Sequence, residues 1–326
     1  MKVFVAGGGG AIGRRLVPLL VEAGHDVAAT TTSSERKRAL RELGATPFVV
    51  DGLDREAVLD VVARAEPEVV VHEMTGLSRA TNLRHFDRVF ATTNRLRTAG
   101  TDHLLEAARV VGARRFVAQS FAGWNYGRSG ALVKTEEDPL DPAPLPSMRQ
   151  SLAAFRHLES AVLGAGMEGL ALRYGNLYGP GTSTAEDGVF VELLRKRRMP
   201  LIGDGGGIWS FLHIDDAAGA TLAAVEGGRP GIYNVCDDEP APAREWLPEL
   251  AAAVGAPPPR RVPVWLGRLA AGEAVVLMFT QTRGASNAKA KKGLVWTPRY
   301  PSWREGFREG LGADRRDEHV AARAAG

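Results

Sequence analysis

Three glycines, Gly7, Gly10 and Gly13, follow the apolar run Val3-Phe4-Val5-Ala6 at a Gly-x-x-Gly-x-x-Gly spacing and open an amphipathic segment from Arg14 to Leu20. Strand, glycine turn and helix in that order grip the pyrophosphate of a dinucleotide. The first glycine allows the tight turn, the second lets backbone N–H groups approach phosphate, and the third lets the helix pack closely on the sheet. Ala11 and Ile12 fall in the same loop, where the helix N-terminus faces the anion. The end of the second strand chooses between dinucleotides, because an Asp or Glu there bonds the ribose 2'-OH and repels a 2'-phosphate. Here the stretch reads Ala29-Thr30-Thr31-Thr32-Ser33-Ser34-Glu35-Arg36-Lys37, with no acid at the strand end. The hydroxyls of Thr31 and Thr32 and the charges of Arg36 and Lys37 suit a phosphate held by charge-assisted bonds, which favours NADP, with NAD as the alternative.

The elements that must position this loop follow from the pattern of the chain. Apolar strands are predicted over His25–Thr30, Pro47–Val50, Val69–His72, Arg115–Ala118, Gly169–Arg173 and Gly231–Val235, separated by helical stretches such as Asp54–Ala65, with Asp54 as its N-cap, and Asn94–Val111. Alternating strands and helices call for an α/β fold with a doubly wound parallel sheet of the Rossmann type. The chain has 326 residues, 44% hydrophobic and 24% charged, enough for one large domain and a smaller appended one. A single cysteine, Cys236, excludes an internal disulfide and a cysteine-rich metal site and reads as a buried strand thiol, and no metal site is expected. The net charge of +3 and the run Arg195-Lys196-Arg197-Arg198 behind an apolar helix suit a solvated helix end and not a nucleic-acid surface. No apolar run approaches the roughly 20 residues that span a bilayer, and a cytoplasmic protein without a leader is expected. The tail beyond about Ala313 is expected to fray.

These landmarks resemble the extended short-chain dehydrogenase/reductases, also called the NAD-dependent epimerase/dehydratase family. Besides the glycine loop, the resemblance rests on Val50-Asp51-Gly52-Leu53, Val71-His72-Glu73-Met74-Thr75, Thr93-Asn94, Leu172-Arg173-Tyr174-Gly175-Asn176-Leu177-Tyr178-Gly179-Pro180-Gly181 and Phe211-Leu212-His213-Ile214-Asp215-Asp216. It implies a dinucleotide-binding Rossmann domain over 1–175, to which 209–236 return, and a smaller substrate-binding domain from 176–208 and 237–311, with the active site in the cleft between them. It places Gly7, Gly10, Ala11, Ile12 and Gly13 on the pyrophosphate, Asp51 and Gly52 at the adenine edge, Met74 and Thr75 near the ribose-phosphate, and Asn94 behind the nicotinamide half. A carboxylate such as Asp51 at the carboxyl edge of a parallel sheet can also accept a bond from an adenine amino group. His72 and His213 are expected to order backbone. A homodimer built on the helices beginning near Asn94 and Ser147 is also implied.

The sequence departs from that family where the family does its chemistry. A Tyr-x-x-x-Lys pair is expected on the helix after the fifth strand, the lysine lowering a phenol from its usual pKa of about 10. The helix here begins Ser147-Met148-Arg149-Gln150-Ser151-Leu152, and the registers Met148/Leu152 and Ser147/Ser151 both lack the pair. After the fifth strand, Phe121 and Ala122 stand where the family has its hydroxyl, which leaves Tyr126 and Ser120 as candidate catalytic groups, Ser120 also as a cofactor or substrate contact. Lys134, Arg149 and His157 are expected at the surface or on a helix face. Trp209 replaces the arginine that clamps a diphosphate in the nucleotide-sugar enzymes, and its indole offers an apolar face and one N–H. With Asn176, Tyr178, Trp124, Met278 and Phe279 it points to an apolar or aromatic small-molecule substrate. Three readings follow: an NADP-linked oxidoreductase with a non-standard proton donor, a redox-neutral epimerase, dehydratase or cyclase that retains its cofactor, and a non-catalytic dinucleotide sensor.

Overall fold

The computed structural model describes residues 1–76 and 83–312. The tail expected to fray lies outside the described residues. Seven parallel strands form the central sheet: β1 (Lys2–Ala6), β2 (Asp26–Thr31), β3 (Thr46–Val49), β4 (Val69–His72), β5 (Arg115–Phe121), β6 (Glu168–Tyr174) and β7 (Gly231–Val235). Their order across the sheet is β7-β6-β5-β4-β1-β2-β3. The chain therefore reverses direction beside β1, and a ligand belongs in the crevice that this switch opens at the carboxyl ends of the strands.

Helices cover both faces, because a parallel sheet buried on each side needs apolar cover on each. On one face α1 (Gly13–Glu22) and α6 (Ile214–Glu226) bury Leu16, Val17, Leu20, Ala217 and Ala220 against Val3, Val5 and Val71. On the other, α3 (Arg55–Ala65), α4 (Thr101–Val110) and α5 (Arg149–Leu163) bury Val58, Val62, Leu104, Leu158 and Val162 against Phe4, Val70 and Phe116. Asp54 caps α3, its carboxylate accepting from the Ala57 N–H at 3.1 Å. A separate core gathers Phe211, Trp246, Leu247, Phe279, Trp303 and Phe307 beyond the strand ends, where short strand pairs such as Asn176–Tyr178 with Phe211–His213 reach out from the main sheet. No helix among the described residues is long and apolar enough to cross a membrane.

Two helical expectations need correction. The stretch Asn94–Val111 is not one α-helix: Ala91–Arg95 leads into a π-helical turn, Leu96–Gly100, before α4 begins at Thr101. Thr98 and Thr101 donate their hydroxyls to the carbonyls of Asn94 and Arg97 at 3.0 and 2.8 Å, and such back-bonding competes with regular α geometry. The helix expected from Ser147 starts as a 3-10 turn over Pro146–Met148, and α5 proper begins at Arg149. Its first turn is capped from elsewhere in the chain. Asp87 accepts from the N–H groups of Gln150 and Ser151 at 2.9 and 2.8 Å and from the Ser151 hydroxyl at 2.6 Å. Asp87→Ala is expected to lower stability by about 1–2 kcal/mol, as loss of a helix cap does, read as a drop in the urea midpoint with an unchanged slope.

Candidate functional site

A cleft of about 1660 Å³ runs along the carboxyl ends of the strands, from the glycine loop to the separate core beyond. At its dinucleotide end the loop is shaped by contacts that tolerate no side chain. Gly7 has φ +94°, and a Cβ there would stand 2.8 Å from the Glu73 carbonyl; at Gly13 it would stand 2.5 Å from the Gly7 oxygen. Gly13 thus packs the helix against the loop and does not line the cleft, whereas Gly7, Gly10, Ala11 and Ile12 do. The Gly10 N–H closes the turn on the Gly7 carbonyl at 2.9 Å, while the N–H groups of Ala11 and Ile12 have no acceptor among the described residues. Such unclaimed donors at a helix N-terminus fit a pyrophosphate.

Thr31, Thr32 and Arg36 also line the cleft, and Lys37 does not. Beside them come Asp51, Gly52, Met74 and Thr75. The Met74 sulfur lies over Gly52, where a Cβ would approach it to 2.3 Å. His72 fixes the backbone here: one ring nitrogen donates to the Leu96 carbonyl at 3.2 Å and the other accepts from the Met74 N–H at 3.2 Å. Burial holds its pKa down at about 4, so the ring is neutral in that role. His213 does similar work, accepting from the Asp215 N–H and donating to the Gly310 carbonyl at 3.0 Å.

The wall formed by β5 and α5 alters the catalytic expectations. From α5 the residues that reach the cleft are Ser151 and Phe155, at the i, i+4 spacing of the family's pair. Neither Met148/Leu152 nor Ser147/Ser151 is the cleft-facing register, because Ser147, Met148 and Leu152 do not line the cleft. No phenol or amine therefore faces the cleft from this helix. Tyr126 does not replace them: it is 1% exposed and contributes nothing to the cleft lining. Its hydroxyl donates to Asn234 at 2.5 Å and accepts from Arg173 at 2.9 Å, and burial pushes its pKa up to about 12. Ser120 does line the cleft. Its hydroxyl hydrogen goes to Glu159 at 2.7 Å, so it can only accept a bond from a ligand. Glu159 in turn holds Arg173 through two bonds of 2.7 and 2.6 Å.

Asn94 is expected behind the nicotinamide half. It is buried outside the cleft, donating to Ser151 at 3.0 Å. Its neighbour Arg97, carried by the π turn, reaches the cleft instead, with its guanidinium carbon 3.9 Å over the Phe155 ring. Lys134 is not a surface residue either, being buried with its ammonium on Asp138 at 3.1 Å, while Arg149 and His157 are exposed as expected.

Trp124, Asn176, Trp209, Met278 and Phe279, expected at the substrate, line the cleft. Trp124 sits among Phe86, Phe121 and Phe155 with ring centroids 5.1 to 6.3 Å away, an aromatic wall. The Trp209 N–H is committed to the Met278 carbonyl at 2.8 Å, leaving an apolar face, and the Asn176 amide donates to the Ser210 carbonyl at 3.0 Å. Tyr178, expected at the substrate, does not line the cleft, being fully buried against Phe211, His213 and Phe307. Cys236 is buried, its thiol on the Ala285 carbonyl at 3.3 Å.

Glu73 and Arg97 are cleft residues that sequence patterning passed over. Glu73 directly follows β4 at the ligand edge of the sheet, which was a legible signal for a carboxylate. It accepts from Tyr174 at 2.9 Å, its second oxygen is unpartnered, and burial raises its pKa to about 8. Arg97 was hidden by a helical period that the π turn breaks.

A sheet that reverses at a glycine loop, with unclaimed N–H donors at its switch point and a long cleft above, defines a dinucleotide-dependent α/β enzyme. Residues 3–236 match the model of the NAD dependent epimerase/dehydratase family, and the chain belongs to that family. It is 46% identical over 310 residues to a 3-diazoavenalumate denitrifying reductase of a Streptomyces species, an alignment that covers 94% of this chain and 99% of the reductase. It is 31% identical over 268 residues to a 2-alkyl-3-oxoalkanoate reductase of Stenotrophomonas maltophilia, covering 79% and 77% of the two chains. The structure of Thermus thermophilus UDP-glucose 4-epimerase in complex with NAD aligns with a TM-score of 0.70 at 26% identity, over 98% of this chain and 99% of that one. Membership of this enzyme family sets aside the reading of a non-catalytic sensor.

Two outcomes test the wall. Tyr126→Phe is expected to leave kcat/KM unchanged while costing about 1–3 kcal/mol in urea unfolding, because Asn234 and Arg173 lose a buried partner. Glu73 keeps its proton in the folded state up to about pH 8, whereas the unfolded chain releases it near the ordinary carboxyl value of about 4.3. Stability must then fall as pH rises between those values and level off above them. Glu73→Gln, an isostere of the protonated acid, is expected to remove that falling limb and to be more stable than the parent at pH 8, as read by denaturant titration across the range.

Proposed function

We propose that this chain is an NADP-linked reductase of a small aromatic molecule, and that the group it reduces is a diazo substituent on an aromatic acid. The observation that carries the reading is the pair that α5 turns to the cleft, Ser151 and Phe155, where a proton relay would stand. Reduction of a carbonyl leaves an alkoxide that needs a proton, and a serine already donating to Asp87 beside a phenyl ring supplies none. When bound, the reduced dinucleotide supplies a hydride, and an aryl diazonium that accepts it breaks its C–N bond, releases N2 and gains a C–H bond without any proton from the protein. The work left to the residues is to bind, orient and exclude water. Ala11 and Ile12 N–H groups hold the pyrophosphate, Asp51 and Met74 flank the adenosine end, and Thr31, Thr32 and Arg36 receive the 2'-phosphate. Trp124, Phe121, Phe155 and Trp209 give a flat substrate its apolar walls. The 46% identity to a denitrifying reductase supports the same reading.

The test mixes purified protein with NADPH and an aryl diazonium carboxylate and follows both the loss of reduced nicotinamide absorbance and the arene formed. Equal amounts of oxidised cofactor and arene are expected, with NADH a poorer donor. Arg36→Ala is expected to raise the KM for NADPH about tenfold, about 1.4 kcal/mol, with NADH unaffected. Interconversion of sugar nucleotides with no net cofactor consumption would overturn this reading in favour of a redox-neutral enzyme.

A further inference from the structure

We propose that Arg97 is the substrate-anion site of this enzyme, a guanidinium held ready in the aromatic half of the cleft for a carboxylate. The inference rests on the aromatic-acid reading above and names the residue that would recognise the acid. Arg97 is only 7% exposed, yet among the described residues its guanidinium has no carboxylate, carbonyl or hydroxyl acceptor. Its one contact of note is the Phe155 ring, 3.9 Å below the guanidinium carbon. A ring face balances part of a cation's charge but accepts none of its five N–H donors in the way an oxygen pair does.

A buried cation left without a counter-charge is costly to a fold, so arginines in such places are paired. Two acids at α5 are spoken for. Glu159 on the same wall is bound by Arg173 and Ser120, and Asp87 caps α5. Burial alone draws the Arg97 pKa down to about 9, with no acid acting on it, and that value still leaves it charged at neutral pH. The π turn over Leu96–Gly100 is what presents it to the cleft, and irregular turns of this kind concentrate where side chains are aimed at ligands.

The chemical class of the ligand follows from the surroundings. The pyrophosphate has its own donors at Ala11 and Ile12, and Arg36, on the helix after β2, lines the cleft beside the glycine loop, so the dinucleotide does not require Arg97. Besides the neutral His72 ring, the neighbours of Arg97 are Phe155 and, through it, Phe121 and Trp124. A planar aromatic body with an anionic oxygen pair satisfies both, and a guanidinium bonds a carboxylate through two parallel N–H donors.

The experiment titrates cinnamate and cinnamamide, which differ only in charge at the carboxyl group, into full-length protein saturated with NADP+. The parent is expected to bind cinnamate about tenfold more tightly than the amide. Arg97→Met is expected to erase that preference, keep its affinity for NADP+, and melt at or above the parent's temperature, since it removes an unpaired buried charge; Arg97→Lys should retain part of the preference. Three results would overturn the inference: no preference for the carboxylate in the parent, a preference that survives in Arg97→Met, or a tenfold loss of NADP+ affinity in that variant. The parent's own preference can be read even where a variant does not fold. Cinnamate carries no diazo group, so its binding is measured whether or not a diazonium is reduced, and failure of one reading is distinguishable from failure of the other.

Discussion

The bidentate pair between Arg173 and Glu159 holds the wall on which the site is built. Arg173 comes from β6 and Glu159 from α5, and together they fix Ser120 on β5 and, through Tyr126, Asn234 on β7. Removing either charge would strand the other in a low-dielectric interior, a far larger cost than the pair itself is worth. The network therefore acts as a rigid frame in which each polar group uses another's capacity. That is why Tyr126 is unavailable for chemistry: the strongest phenol candidate in the chain is part of the frame.

Against this frame the cleft is apolar on one side and donor-rich on the other. The glycine loop offers N–H groups without acceptors, while the wall from Phe121 to Trp209 offers ring faces and few free hydrogens. Such a division suits a ligand pair in which one partner is a polyanion and the other is flat. It also shifts the burden of catalysis from proton transfer to placement, since water exclusion and orientation are what an aromatic box can provide.

Much of the fold was legible because it follows from local rules. The strand Val69–His72 lies where its apolar run placed it, and β1 with its loop is set by the spacing of three glycines. Gly231–Val235 likewise kept its limits, while the other predicted strands moved by one to three residues, as with Arg115–Phe121, which continues past Ala118 because Gln119, Ser120 and Phe121 still pair with Leu172, Arg173 and Tyr174. The dinucleotide end of the site was readable for the same reason, since close backbone approach demands particular residues. The opposite end was not. Which side chain on α5 faces the cleft depends on the 3-10 turn before Arg149 and on the cap by Asp87, a residue more than 60 positions away. The role of Arg97 depends on a π turn that no periodic pattern encodes, and the loss of Tyr126 and Tyr178 to the interior depends on partners from other elements.

The π turn has one further consequence, for how such a site can arise. An α-helix advances about 100° per residue, so a turn that holds one extra residue rotates everything before it by that angle relative to everything after. Leu96–Gly100 joins a helix that carries Asn94 inward to one packed on the sheet. A single inserted or deleted codon in that turn would change which residue is shown to the cleft while leaving the packed helix undisturbed. Ligand preference at this position could thus change in lineages by one insertion event in place of a series of substitutions, each of which would have to pass through a poorly packed core.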